Sequence, residues 1–386
     1  MKVLQINKLY HPHTGGVEKV VREIAEGFLL RRVDVDMEVL ACSPRGAGSR
    51  DAVNGVRVTR AASVGIYNSM PVSPHFPLLL KKMSADKDIL HFHEPFPLGA
   101  LSCLLVKPRA KIVVWWHSDI VRQKTLLKFY RPVLNKFLER ADRIITATAR
   151  LVEFSEILKP YAHKCVVIPF GMNLDRFLKA AGTDAGGRTP TDAGGGAPGC
   201  DIRRRYGERV VLFVGRLVYY KGVEHLIRAM REVRGRALIV GDGPLDAQLR
   251  RLAIRCGVAD RVAFLGRVDD AALPAYYHAC DVFVLPSTAA SEAFGLVQIE
   301  AMACAVPVVN TMLPSGVPEV SVDSVTGLTV RPGDAGALAG AINRLLDDAA
   351  LREKYGRAAA EAAEKRFSLP LMLDKIYGVY EELLQK

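Results

Sequence analysis

The pattern that constrains this chain most is a repeated alternation. Short apolar runs, each long enough for one strand, alternate with helical periodicity: Val3–Ile6, Val35–Leu40, Ile89–Phe92, Ile112–Trp115, Ile144–Thr146 and Val166–Ile168. The second half repeats the rhythm with Val210–Val214, Leu238–Val240, Val262–Leu265, Val282–Leu285 and Val306–Val309. Unbroken apolar strands recurring between helices predict parallel, doubly wound α/β sheets that take ligands at the carboxyl ends of their strands. For 386 residues two such domains are expected.

Hydrophobic residues make up 49% of the chain, enough for two cores. No apolar run reaches the ~18–20 residues of a membrane-spanning helix, and Met1–Ile6 reads as a first strand rather than a signal segment. The seven cysteines (42, 103, 165, 200, 256, 280, 304) form no C-x-x-C pair. Their odd number points to reduced thiols in the cytoplasm rather than to disulfides or zinc. Charge is uneven: residues 1–177 hold 27 Lys+Arg against 16 Asp+Glu, while residues 178–386 hold 26 against 25. A basic first half suits an anionic lipid surface or a phosphorylated acceptor. No nucleic-acid-binding module is legible, so no nucleic acid is expected.

The chemistry-bearing residues follow strands. Ser291-Glu292-Ala293-Phe294-Gly295-Leu296 leads from a strand into a helix that carries Glu300. The amides of Phe294, Gly295 and Leu296 fall at that helix entrance, where unpaired N–H groups and the helix dipole favour an anion. Glu292 and Glu300 are about 8–12 Å apart at helical rise, too far to share a proton or a metal. That span suits a sugar joined through a diphosphate to a nucleoside, although solvated glutamates beside an ordinary helix fit the spacing as well. Arg216 and Lys221 flank another strand-to-helix turn, where two cations can neutralise a diphosphate. Gly241 and Gly243 form a tight turn after a strand, and Arg267 and Val268 end the next one. In the first half, Gly15 and Gly16 sit at a strand-to-helix turn, and His117 ends a strand in Trp115-Trp116-His117-Ser118-Asp119. His91-Phe92-His93 lacks the further ligands of a metal site, and Asp34-Val35-Asp36 reads as a coincidental D-x-D. The stretch Val121–Arg140 is a basic amphipathic helix, either core-packed or lying on an anionic membrane, with Pro132 expected to kink it or start a second helix.

Glu292 to Glu300, the Gly215-Arg216 to Lys221-Gly222 string, Gly241-Asp242-Gly243-Pro244 and Leu313–Glu319 together resemble retaining glycosyltransferases of family 4 along nearly the whole chain. The resemblance implies the GT-B fold, two facing Rossmann-like α/β domains with a cleft between them: 1–177 on the acceptor side, joined by a final helix 369–386, and 206–368 on the nucleotide-sugar side. Residues 178–205 read as a flexible linker. It further implies that Glu292 meets the donor sugar hydroxyls, that Arg216, Lys221 and the three amides hold the diphosphate, and that Glu300 holds the ribose. Gly15, Gly16 and His117 are implied to face acceptor and donor, Gly241 and Gly243 the nucleotide, and Arg267 and Val268 the base. No cofactor or metal is expected beyond the nucleotide sugar. The Trp-His-Ser-Asp run and Leu-Pro-Ser-Gly-Val-Pro look most like O-antigen and related polysaccharide transferases using GDP-mannose or a GDP-deoxymannose such as GDP-rhamnose. A lipid-diphosphate-linked or polysaccharide acceptor at the inner face of the cytoplasmic membrane is the implied partner. A UDP-sugar transferase, one with a soluble acceptor, a nucleotide-sugar epimerase and a non-catalytic nucleotide-binding module are the alternatives.

Overall fold

The computed structural model describes residues 1–13, 15–67, 70–119, 124–178 and 199–385. The chain divides into two compact units, Met1–Met172 with Leu369–Lys386, and Asn173–Ser368.

The first unit is built on strands β1 (Lys2–Ile6), β2 (Asp36–Cys42), β3 (Ser49–Val53), β4 (Val56–Ala61), β7 (Ile89–Glu94), β8 (Lys111–Trp116), β9 (Arg143–Thr146) and β10 (Cys165–Val167); β5 (Gly65–Tyr67) and β6 (Met70–Val72) form a separate hairpin. The sheet order is β10-β9-β8-β7-β1-β2-β4-β3, parallel except for β3, which runs antiparallel to β4 at the edge. An all-parallel sheet was expected; the edge pair departs from it because Ser49–Val53 is short, polar and mostly exposed, as edge strands are.

Strand parity sorts the interior. Leu4, Ile6, Phe92, Ile112, Val114 and Trp116 join the apolar core on one face. On the other, Gln5 pairs in register with His91, and His93 with Trp115. That face meets the helix Leu369–Leu384, whose Tyr380 hydroxyl lies 2.6 Å from His91 Nδ1. The same helix pairs Asp374 with Arg32 at 2.9 Å and Glu382 with Arg143 at 2.6 Å. Pro132 lies inside one helix, Lys124–Arg140, rather than starting a second; Leu134, Phe137 and Leu138 bury its inner side. The expected residues 121–123 at its start lie outside the described residues. Asp34 accepts from Tyr377 at 2.6 Å and Asp36 pairs with Arg57, so the D-x-D carboxylates are structural.

The second unit holds β11 (Val210–Val214), β12 (Arg236–Val240), β13 (Val262–Gly266), β14 (Val282–Val284), β15 (Val308–Thr311) and β16 (Gly327–Val330), all parallel in the order β13-β12-β11-β14-β15-β16. Every side chain of β11 and β14 is buried, as continuous Val, Leu and Phe runs require with helices on both faces. Residues 173–177, which the sequence reading put in the first domain, lie in this unit: the Phe177 ring packs edge-on against Tyr277 at 5.8 Å. Most of the linker, residues 179–198, lies outside the described residues. Its end is ordered instead as the helix Cys200–Tyr206, anchored by Arg203 at 3.3 Å from Asp281.

Glu94, at the end of β7, is fully buried. Burial pushes its carboxyl up to about 8, against the pull of the Phe96 amide that donates to it at 2.7 Å. The folded state therefore binds a proton that the unfolded chain releases above its usual 4.5, and stability falls as pH rises through that window. Glu94→Gln is expected to show a stability advantage over the parent that grows between about pH 5 and pH 8, measured as the difference in denaturant midpoint; a constant difference would exclude a buried, proton-holding Glu94.

Candidate active site

The order of the second sheet reverses at β11 and β14, which are neighbours although β12 and β13 lie between them in sequence. Such a switch point leaves a crevice at the carboxyl ends of the two strands. Two loops emerge there. The loop after β11 carries Arg216, exposed, and Lys221, buried; the loop after β14 carries Glu292, buried, and Gly295. Lys221 Nζ lies 2.6 Å from Glu292 Oε2, with side chains only 11% and 9% exposed. Ser287 Oγ donates to the same oxygen at 3.2 Å. Tyr219 OH lies 3.3 Å from Ser291 Oγ, and Lys221 lies 5.9 Å from the Tyr220 ring centroid. Burial raises the Tyr220 pKa, with Lys221 and Arg216 pulling it down and Glu292 pushing it up.

Gly295 caps the helix Leu296–Ala303 in the left-handed region, φ 75°, and a Cβ there would fall 2.6 Å from Leu285. Phe294 turns its ring inward, edge-on to Phe367 at 5.9 Å, and Leu296 is half-buried. Glu300, farther along the helix, is buried: Tyr277 OH donates to its Oε2 at 2.8 Å and Arg176 lies 3.6 Å from its Oε1. Burial, then the Glu300 charge, raises the Tyr277 pKa well above its ordinary value, so it stays a donor. Gly241 and Gly243 are pressed against the loop after β11. Added Cβ atoms would fall 2.0 Å from the Gly215 carbonyl oxygen and 2.5 Å from that of Leu217. These glycines let the loops after β11 and β12 pack against each other, a role the sequence did not suggest. Arg267, exposed, and Val268, half-buried, follow β13, where the Gly241 amide donates to the Gly266 carbonyl at 2.7 Å.

In the first unit, Gly15 caps and Gly16 opens the helix Gly16–Arg31, with the buried carboxylate of Glu18 in its first turn. His117 follows β8 and is 5% exposed. Its ring lies nearly parallel to those of Trp115 at 5.8 Å and Phe170 at 5.4 Å, which also stack on each other at 5.3 Å. His93 and His91 lie behind it, hydrogen-bonded into one line with Gln5 and Tyr380. The structure thus joins Lys221 with Glu292, and places Arg216 and Gly295 on the same two loops. Sequence reasoning missed Ser287, Tyr277 and Arg176 as partners of the two glutamates; Arg176 stands in the family-like segment Phe170–Phe177 but was given no role, and Tyr277 comes from the helix Leu273–Ala279.

Residues 14–176 match the family model Glycosyltransferase Family 4, and residues 201–362 match Glycosyl transferases group 1. The chain is 32% identical over 386 residues to the O-antigen chain mannosyltransferase C of Escherichia coli, covering 100% of this chain and 99% of that one. It is 31% identical over 373 residues to the D-rhamnosyltransferase WbpZ of Pseudomonas aeruginosa, covering 95% and 92%. Its fold matches the crystal structure of Anabaena Alr3699/HepE in complex with UDP, with a TM-score of 0.77, 22% identity and coverage of 99% and 100%. The chain belongs to glycosyltransferase family 4 and has the GT-B fold. It is a glycosyltransferase.

The Lys221–Glu292 pair is a buried ion pair, so removing one partner strands the other. Glu292→Ala is expected to cost about 3–5 kcal/mol of stability, and Glu292→Ala combined with Lys221→Met much less. Chemical denaturation of the two variants checks this; equal losses would mean the two side chains are not coupled.

Proposed function

We propose that this enzyme transfers mannose, or a deoxymannose such as rhamnose, from a GDP-sugar to a lipid-diphosphate-linked or polysaccharide acceptor in O-antigen or related polysaccharide synthesis, with retained anomeric configuration. The sugar class is supported by the full-length likeness to a mannosyltransferase and a D-rhamnosyltransferase. The observation that carries the chemistry is the 2.6 Å contact of Lys221 with Glu292 beside Gly295. It brings a cation, a carboxylate and the start of a helix to one switch point.

In this reading Lys221 exchanges Glu292 for the incoming diphosphate. The freed carboxylate then accepts from hydroxyls of the donor sugar. Arg216 adds a second cation from the same loop, and the amides of Phe294, Gly295 and Leu296 complete the phosphate cradle. Glu300, held by Tyr277 and Arg176, accepts from the ribose hydroxyls. Gly241 and Gly243 shape the turn near the nucleotide, and Arg267 and Val268 meet the base. In the first unit Gly15 and Gly16 let substrate approach the backbone, and His117 faces a sugar hydroxyl. Charge that grows on the leaving diphosphate is stabilised by groups already aimed at it, and the leaving phosphate takes the acceptor proton.

Arg216 is exposed, so its loss should not cost stability. Arg216→Ala is expected to keep the parent melting temperature and to lower kcat ~10²-fold or more. The assay is transfer of labelled mannose from GDP-mannose to a lipid-diphosphate-linked glycan. Normal turnover in that variant would remove the phosphate-clamp assignment. Use of UDP-sugars alone would remove the GDP assignment, and acceptor-independent epimerisation would remove transfer.

The peripheral membrane assignment rests on the helix Lys124–Arg140, which exposes Lys128, Arg131 and Lys136 around Phe129, itself 78% exposed. No helix among the described residues is long and apolar enough to cross a membrane. Binding at the inner face of the cytoplasmic membrane then depends on charge. Co-sedimentation with anionic vesicles should fall steeply between ~0.05 and ~0.5 M salt; no binding at any salt would eliminate this location.

A further inference from the structure

The buried imidazoles of the first unit form a line with a direction. His91 and His93 are fully enclosed, and His117 nearly so. Burial holds His91 and His117 down to about 3 and His93 well below its usual value, so all three are neutral at pH 7. A neutral imidazole has one N–H and one bare nitrogen, and each bond in a chain then dictates the next.

The Gln5 amide sets the sequence. Its Nε2 lies 3.3 Å from both Tyr380 OH and His91 Nδ1, while its Oε1 lies 2.5 Å from His93 Nε2. An amide oxygen only accepts, so His93 carries its proton on Nε2. His93 Nδ1 is therefore bare and accepts from His117 Nε2 at 2.8 Å. With the amide in this orientation, the Tyr380 hydroxyl donates to His91 Nδ1 at 2.6 Å and accepts from Gln5 Nε2. All three rings then hold the proton on Nε2, the tautomer that free histidine favours. The near-parallel rings of Trp115 and Phe170 pack beside His117 and restrict its plane.

The first sheet reverses order at β1 and β7, beside the line of Gln5, His93 and His117. We propose that Gln5 and His93 are positioning residues that hold His117 in the Nε2–H tautomer, leaving bare Nδ1 as the acceptor for a hydroxyl of the sugar substrate at the carboxyl end of β8. The identity of that substrate rests on the transferase reading above; the tautomer does not. Reversing the Gln5 amide would reverse every donor in the line and turn His117 Nδ1 into an N–H that a hydroxyl proton cannot approach.

The test is long-range ¹H–¹⁵N correlation on the full chain labelled at histidine. In the parent protein His117 should show a protonated Nε2 and a bare Nδ1 at pH 7, with His93 the same. A protonated Nδ1 on His117, or an imidazolium, overturns the proposal without needing any variant. Gln5→Met removes both ends of the amide while keeping its bulk. It should shift or exchange-broaden both His117 ring nitrogens and lower kcat about 10–100-fold, the usual loss when an orienting partner behind a functional histidine is removed, with KM for the donor nearly unchanged. Unmoved His117 signals and normal kcat in a folded Gln5→Met protein overturn it. The spectrum does not depend on which sugar is transferred. A failed donor assignment therefore leaves the tautomer reading standing, and a wrong tautomer leaves the transferase assignment standing.

Discussion

The contact between Lys221 and Glu292 depends on strand order more than on either loop. β11 and β14 are adjacent only because the chain crosses to the far side of the sheet after β13. That reversal brings two loops about seventy residues apart into one crevice. Each side chain is nearly enclosed, and neither would be tolerated there alone. The ion pair is a resting arrangement in which an anion already occupies the place beside the cation. Each buried charge is compensated by the other, so neither stands isolated in the resting site.

The two sheets keep polarity differently. In the second unit the central strands β11 and β14 are apolar throughout, and the buried Asn310 of β15 bonds outward to Gln298 and to the Val317 and Ser321 carbonyls. In the first unit polarity enters the sheet: Gln5, His91 and His93 lie within β1 and β7 and are fully enclosed. Buried polar groups persist when they satisfy one another, and a connected line of donors and acceptors is more rigid than separate pairs, although the line ends at His91 Nε2, which has no partner among the described residues.

Much of this architecture was legible because parallel strands advertise themselves. Val210-Val211-Leu212-Phe213-Val214 has no polar side to hide, and the glycines of the turns stand at its end. β3 to β6 were not legible: Ser49–Val53 is polar and short, and its pairing with β4 depends on a turn rather than on an apolar face. Nor did Pro132 interrupt its helix, since the side chains of Leu134, Phe137 and Leu138 hold that helix to the core. At the site, Glu292, Lys221 and Gly295 could be read from their strings. Tyr277, Arg176 and Ser287 could not, because side chains meeting in space leave no spacing rule in the sequence. His91 and His93 were visible as a pair, but the continuation through Gln5 and Tyr380 spans 375 residues.

That separation has a consequence for how the protein comes into being. Tyr380 and the helix Leu369–Leu384 belong to the first unit, yet they are made after the whole of the second. While residues 173–368 are being synthesised, the face of β1 and β7 that bears Gln5 and His91 has no lid. The newborn first unit must wait, partly open, until residues 369–384 have followed the entire second unit out of the ribosome.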